Sequence, residues 1–272
     1  MNKKHDIILV GDNMDEYLNF AKRIARYAGS VIKEYFYKDQ EIEYKSDRTP
    51  VTIADKTINK YLIEEVKKEY PTFRVIGEEL SLDNDSKYAW VCDPLDGTSM
   101  FTRHLPVSVF SLALVVDGEP VVGVVYDPFL DEMYTAIKGQ GAYCNDKKIS
   151  VNNKKMGELG CSVDYCMWGS AKYDTLEIIK EIRNVVKTGS TGSVAHGCML
   201  VATGRVSGEI FPGTSHGECD IAASKLIVEE AGGVTSNFHG ENQRYDEDID
   251  GFIAANKEVY DELILKMRRI YK

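Results

Sequence analysis

The sequence predicts a mixed fold, an α+β first part followed by an α/β layer packed against it, and three observations lead there. Between residues 14 and 36 apolar side chains recur at intervals of three and four, the period of an amphipathic helix. Residues 107–116 and 121–126 are β-branched runs joined by Asp117-Gly118-Glu119-Pro120, which signals a hairpin. From about Asn152 onward, short apolar runs alternate with helical patterns, the rhythm of an α/β layer.

The elements follow in order. The first helix places Tyr17, Leu18, Ala21, Ile24, Ala25, Ala28, Val31 and Ile32 on one face, with Asp12 or Asn13 as its cap. Glu41–Lys45 alternates as a short strand, and Ser46-Asp47-Arg48-Thr49-Pro50 reads as a turn. A second helix, from about Ala54 to Glu69, turns Ile58, Tyr61, Leu62 and Val66 inward and stops at Pro71. Phe73–Ile76 is a strand ending in Gly77-Glu78-Glu79. Tyr88–Cys92 is another, which Pro94 and Gly97 are expected to stop in a tight turn. Met133–Ala136, Gly139–Tyr143 and Ile149–Val151 add short strands, so that two helices lie beside an antiparallel sheet. Beyond residue 152 the expected elements are strands 160–164, 206–211 and 251–255 and helices 173–186, 193–203, 219–231 and 257–270. The reading divides the chain into residues 1–152 and 153–272.

Net charge of −10 and a pI near 5.1 argue against broad binding to nucleic acid or anionic membrane. No apolar run approaches the ~20 residues of a membrane span, and the apolar stretch Ile7–Val10 is too short for a signal sequence. The six cysteines form no CxxC pair and no zinc spacing, so they read as reduced thiols of a cytoplasmic protein.

Four acidic elements stand at the ends of apolar segments: Asp55, Glu78-Glu79, Asp93 with Asp96, and Asp220. Taken singly, Asp55 reads as a helix cap, Glu78-Glu79 as a solvated pair and Asp220 as a complement to a helix dipole. Asp93-Pro94-Leu95-Asp96-Gly97-Thr98 does not reduce to such a role. Two carboxylates at the end of a buried strand repel, and a shared proton or a divalent cation relieves the repulsion. Hydrolysis of phosphate monoesters is among the slowest uncatalysed reactions, with enzymatic accelerations of up to ~10²¹. Two divalent ions about 3.5–4 Å apart are the usual remedy, and they need hard oxygen ligands. They would also reverse the negative field that otherwise repels an anionic substrate.

Gly77-Glu78-Glu79, Asp93-Pro94-Leu95-Asp96-Gly97-Thr98 and Asp220-Ile221-Ala222-Ala223 with Glu229-Glu230-Ala231-Gly232-Gly233 resemble, in order and spacing, the inositol monophosphatase family of lithium-sensitive sugar phosphatases. The resemblance runs from the Lys45–Asp55 stretch to the last helix. It implies a layered αβαβα sandwich and a homodimeric, Mg²⁺-dependent phosphomonoesterase acting on inositol monophosphate or a related small polyol or sugar phosphate. Two or three Mg²⁺ ions, replaceable by Mn²⁺, are implied. By carry-over, Glu78, Asp93 and the Leu95 carbonyl hold the first, Asp93, Asp96 and Asp220 the second, and Glu78 faces the third. Asp55 and Thr98 activate water with Glu79 in support, and backbone N–H groups of Gly97 and Thr98 hold the phosphate.

Substrate recognition departs from the family pattern. Cys219 stands where members carry Trp, and Gly213 where they carry a sugar-binding Glu. Gly192-Ser193-Val194 replaces the Gly-Ser/Thr-Ala element that contacts substrate hydroxyls. Loss of polar groups from a recognition wall changes or relaxes preference. Arg103, after the acidic turn, either contacts a second polar group of the substrate or is a surface charge. Phe101-x-Arg103-x-x-Pro106-Val107 also resembles the histidinol-phosphate phosphatase branch, which gives a second reading. A third is a regulatory binding protein on the same fold. His104, His196 and His216 lack ligand spacing.

Overall fold

The computed structural model describes residues 14–38, 42–45, 50–167, 171–214 and 216–271. The expected cap at Asp12 or Asn13 and residues 46–49 of the expected turn lie outside them. Helix α1 (Met14–Phe36) buries Tyr17, Phe20, Ala21, Ile24, Ala25, Ala28 and Ile32, the face that its period predicts. Two two-residue strands, β1 (Glu43–Tyr44) and β2 (Pro50–Val51), pair antiparallel and lead into α2 (Ile53–Glu69).

A seven-stranded sheet follows, with strands in chain order: β3 (Arg74–Gly77), β4 (Tyr88–Asp96), β5 (Val109–Val116), β6 (Glu119–Asp127), β7 (Glu132–Ile137), β8 (Ala142–Cys144) and β9 (Lys147–Lys148). A single turn, α3 (Thr98–Phe101), separates β4 from β5. The Asp117-Gly118 signal is borne out. Both residues have positive φ, 52° and 85°, as a two-residue hairpin turn that matches strand twist requires.

Three expectations need correction. The sheet is mixed, because β3 runs parallel to β4. Ile149–Val151 forms no strand: Ile149 donates to the Ala142 carbonyl and Val151 to the Ala231 carbonyl, so the segment changes partners after one bond. The third correction matters most. Pro94 does not end β4. Asp93 lies opposite Ser111 and Asp96 opposite Val109, so β4 advances three residues while β5 advances two. That is a β-bulge, a place where a strand tolerates a proline that cannot donate to the ladder.

The second half supplies β10 (Ser162–Tyr165), α4 (Thr175–Ile182), β11 (Lys187–Gly189), α5 (Val194–Ala202), β12 (Gly208–Phe211), α6 (Gly217–Glu230), β13 (Val234–Ser236), β14 (Phe252–Ala255) and α7 (Lys257–Ile270). Strands β11 and β13, three residues each, are too short for alternation to reveal. The five strands form one sheet in the order β11-β10-β12-β14-β13, parallel across β11-β10-β12 and antiparallel beyond.

Packing makes five layers, αβαβα. Trp90 and Cys92 of β4 face α1 and α2 in one core, whereas Ala89 and Val91 face α5 and α6 in a second. That alternation is the period of two of a strand buried on both faces. The second core also takes Phe252 and Ala254 of the five-stranded sheet, so α5 and α6 form the middle layer. A third core joins the outer face of that sheet to α4 and α7. No helix among the described residues is long and apolar enough to cross a membrane.

Candidate active site

The parallel pairing of β3 and β4 places the first acids side by side. Gly77 lies opposite Cys92, so Glu78, just past the end of β3, comes level with Asp93 of β4, its N–H donating to the Cys92 carbonyl at 3.2 Å. The bulge then brings Asp96 back beside Asp93. Asp220 arrives from the first turn of α6. Carboxylate oxygens of Asp93, Asp96 and Asp220 lie within 4.8 Å of one another, and so do those of Asp55, Glu78 and Glu79.

Asp55 satisfies both of its readings. As the third residue of α2 it closes a capping box, its Oδ2 accepting from the Thr52 N–H at 2.7 Å and the Thr52 hydroxyl at 2.6 Å. Its Oδ1 is turned to Thr98 Oγ1, 3.4 Å away, and that hydroxyl also donates to the Leu95 carbonyl at 2.9 Å. The Leu95 N–H in turn donates to Asp93 Oδ1 at 2.8 Å.

Burial pushes Asp55 up to about 7 against the Thr52 hydrogen bonds, with Glu78 adding to the rise. Asp96 is pushed up to about 6 by burial, opposed by its bonds to Ser193 and Ala195. Asp93 stands well above the usual carboxylate range, first through burial and then through Glu78, Asp220 and Asp96; Asp220 does so through burial, Asp96 and Glu78, against a hydrogen bond with Asp93. Among the described residues the only cation in salt-bridge contact with these six acids is Lys45, 2.8 Å from Glu78 and 2.5 Å from Glu79. A close-set, mostly buried group of hard oxygen donors with one counter-charge fits divalent metal ions.

Gly97 and the start of α5 stand beside the acids. Gly97 has φ 87° and precedes α3. Ser193 caps α5, and its hydroxyl donates to Asp96 Oδ2 at 2.7 Å, as does the Ala195 N–H at 2.6 Å. Gly192 packs on Met100, while the Val194 side chain is buried in the middle core. Arg103 is exposed, its guanidinium 4.0 Å from Met100 Sδ. His104 meets the Phe36 carbonyl at 2.5 Å and His196 the Val107 carbonyl at 3.0 Å, both structural contacts. Cys219 is fully buried with its thiol 3.7 Å from the Ile76 carbonyl.

Sequence reasoning missed three supports. Lys45 pairs with both glutamates, Asn59 Oδ1 accepts from the N–H groups of Glu79 and Leu80, and Ser193 serves Asp96. None of the three has a local signal, unlike the capping box, which Thr-x-x-Asp at residues 52–55 announces.

Two substitutions test the local geometry. Ser193→Ala removes the cap of α5 and a donor to Asp96, and should cost about 1 kcal/mol of stability, measured by urea unfolding; no change would show the cap to be idle. Gly213 has φ 79°, and a Cβ there would lie 3.0 Å from the Gly251 nitrogen. Gly213→Glu should therefore lower stability by about 1–2 kcal/mol or more. In a thermal melt that is a fall of roughly 2–8 °C, and an unchanged Tm would refute the strain.

Fold and site together define a class, the phosphomonoesterases that work with divalent metal ions. The chain belongs to the inositol monophosphatase family, whose model matches residues 13–272. It is 35% identical over 271 residues to a fructose-1,6-bisphosphatase/inositol-1-monophosphatase of Aquifex aeolicus, spanning 96% of this chain and 98% of that one. It is also 36% identical over 236 residues to Nus factor SuhB of Pasteurella multocida, spanning 84% and 87%. An IMPase from Thermotoga maritima superposes with a TM-score of 0.84 at 27% identity, over 94% of this chain and 98% of that one.

Proposed function

We propose that the protein hydrolyses inositol monophosphate or a related small polyol or sugar phosphate, using Mg²⁺. The observation that carries this reading is the mostly buried Asp93–Asp96–Asp220 cluster beside Asp55, Glu78 and Glu79. Glu78, Asp93 and the Leu95 carbonyl would hold one ion, Asp93, Asp96 and Asp220 a second, and Glu78 would face a third. When bound, such ions supply charge neutralisation, a clamp on phosphate oxygens and a more acidic water.

The chain's own residues do the rest. Asp55 Oδ1 and Thr98 Oγ1 together orient a water, and a carboxyl near neutrality is suited to accept its proton. Lys45 holds Glu78 and Glu79 in place. The N–H groups of Gly97 and Thr98 receive the phosphate, and Gly192, Ser193 and Val194 form the wall beside it. Ser193 also holds Asp96, so its hydroxyl serves the acid before the substrate. In this reading residues 1–152 supply most of the ion ligands and residues 153–272 supply Asp220 and the wall.

A polyol-binding carboxylate is missing at Gly213, and a relative named for two phosphatase activities supports a preference wider than inositol. We infer that Arg103, exposed beyond the acidic turn, meets a second polar group of the substrate. A panel of inositol, fructose, histidinol and nucleoside phosphates, with Mg²⁺ and phosphate release as readout, tests this. The highest kcat/KM is expected on a polyol or sugar phosphate; a tenfold preference for histidinol phosphate would overturn it. A cytoplasmic homodimer inhibited by Li⁺ belongs to the same proposal, checked by sedimentation, fractionation and Li⁺ titration. The similarity to a Nus factor favours one further reading, a regulatory role alongside catalysis. Pull-down of a stable macromolecular partner by Asp93→Asn would support it, and none would count against it.

A further inference from the structure

Apart from the acidic site, a second group of metal-ligand atoms gathers where α6 begins. His216, Glu218 and Asp248 each bring one ring nitrogen or carboxylate oxygen within 4.8 Å of the others. His216 Nδ1 is 3.5 Å from Glu218 Oε1, and the His216 N–H donates to Asp248 Oδ1 at 3.4 Å. Surface clusters of this kind are common without an ion. Glu218 is what sets this one apart: it is 3% exposed, and its Oε2 is buried with no hydrogen-bond partner among the described residues. A buried carboxylate oxygen left without a donor is costly. No Lys or Arg among the described residues forms a salt bridge with Glu218 or Asp248; the one ring against Glu218 is that of His216 itself.

We infer that His216, Glu218 and Asp248 form a second metal site, separate from the acidic cluster, that takes a borderline divalent ion such as Zn²⁺. The donor set decides the ion. Mg²⁺ prefers oxygen alone, whereas an imidazole with two carboxylates suits zinc, and three protein ligands leave one position to water. His216 adopts φ 60° immediately before α6, and His is among the few residue types that take this left-handed conformation readily. The positive end of the α6 dipole opposes a cation by a fraction of a full charge, which two carboxylates outweigh. Bound there, the ion ties the loop that carries Asp248 to the helix turn that carries Asp220.

Equilibrium dialysis of the full chain with Zn²⁺, in saturating Mg²⁺, tests the inference without reference to activity. His216→Asn, which keeps the left-handed backbone, and Asp248→Asn are each expected to weaken Zn²⁺ binding at least tenfold and to remove one equivalent. Asp93→Asn is expected to retain that equivalent. Pulsed EPR with Cu²⁺ as probe should show imidazole nitrogen coupling in the wild type and none in His216→Asn. Unchanged Zn²⁺ binding in either variant, or loss of the same equivalent in Asp93→Asn, overturns the site.

Discussion

Asp93→Asn is expected to lower the rate of phosphate release on the order of 10³-fold and, in the same protein stripped of metal, to raise the melting temperature at pH 8. The two effects share one cause. Asp93 lies among Glu78, Asp96 and Asp220, and burial and those neighbours push it far above the usual carboxylate range. The carboxylate that gathers cations is therefore a source of repulsion without them. Asparagine keeps the oxygen that accepts from the Leu95 N–H at 2.8 Å while removing the charge. Misfolding would lower both quantities, so opposite directions separate a lost ligand from a damaged fold. A rate within tenfold of wild type would remove Asp93 from the machinery, and a lower metal-free Tm would refute the repulsion.

The metal-free protein should also lose stability as pH rises from about 4 to 8. Asp55 and Asp96 stand at about 7 and about 6 in the folded chain, against an ordinary 3.8. In that window the folded state binds more protons than the unfolded one, so its advantage, complete below the ordinary value, drains away as each folded value is passed. The gap from 3.8 to about 7 for Asp55 is worth roughly 4 kcal/mol, or on the order of 10 °C in Tm. Glu65 and Glu132, lowered by Arg23 and Arg205, act in the opposite sense and matter only as pH falls through their own range. Calorimetry across this pH range, with EDTA and then with excess Mg²⁺, checks the expectation. The added ion should flatten the decline; a metal-free Tm that is level or rises between pH 5 and 8 would refute it.

Much of this was legible in the sequence because it depends on neighbours along the chain. The period of α1, the Asp117-Gly118 turn and the acids ending apolar runs are local signals, and each is found where expected. What escaped depends on contacts between distant segments. The bulge at Pro94 is decided by the register of β5, and alone the proline reads as a stop. The partner of Asp96 is Ser193, 97 positions away, and nothing local in either residue names the other. Lys45 and Glu78, 33 apart, are hidden in the same way. Gly213 was read as a lost carboxylate, but its backbone leaves little room for any side chain.

The bond from Ser193 to Asp96 has a consequence in time. Asp96 leaves the ribosome 124 residues ahead of Asp220 (220 minus 96), an interval of roughly 6–25 s at ordinary rates of synthesis. For the first 97 residues of it the nascent chain carries Asp93 and Asp96 without the Ser193 clasp on Asp96, and throughout it lacks the third carboxylate of the group. Ribosome-bound chains stalled before residue 220 are therefore expected to release no phosphate. Activity begins only once α6 has docked against a sheet made much earlier, so each molecule stays silent until Asp220 has joined the group.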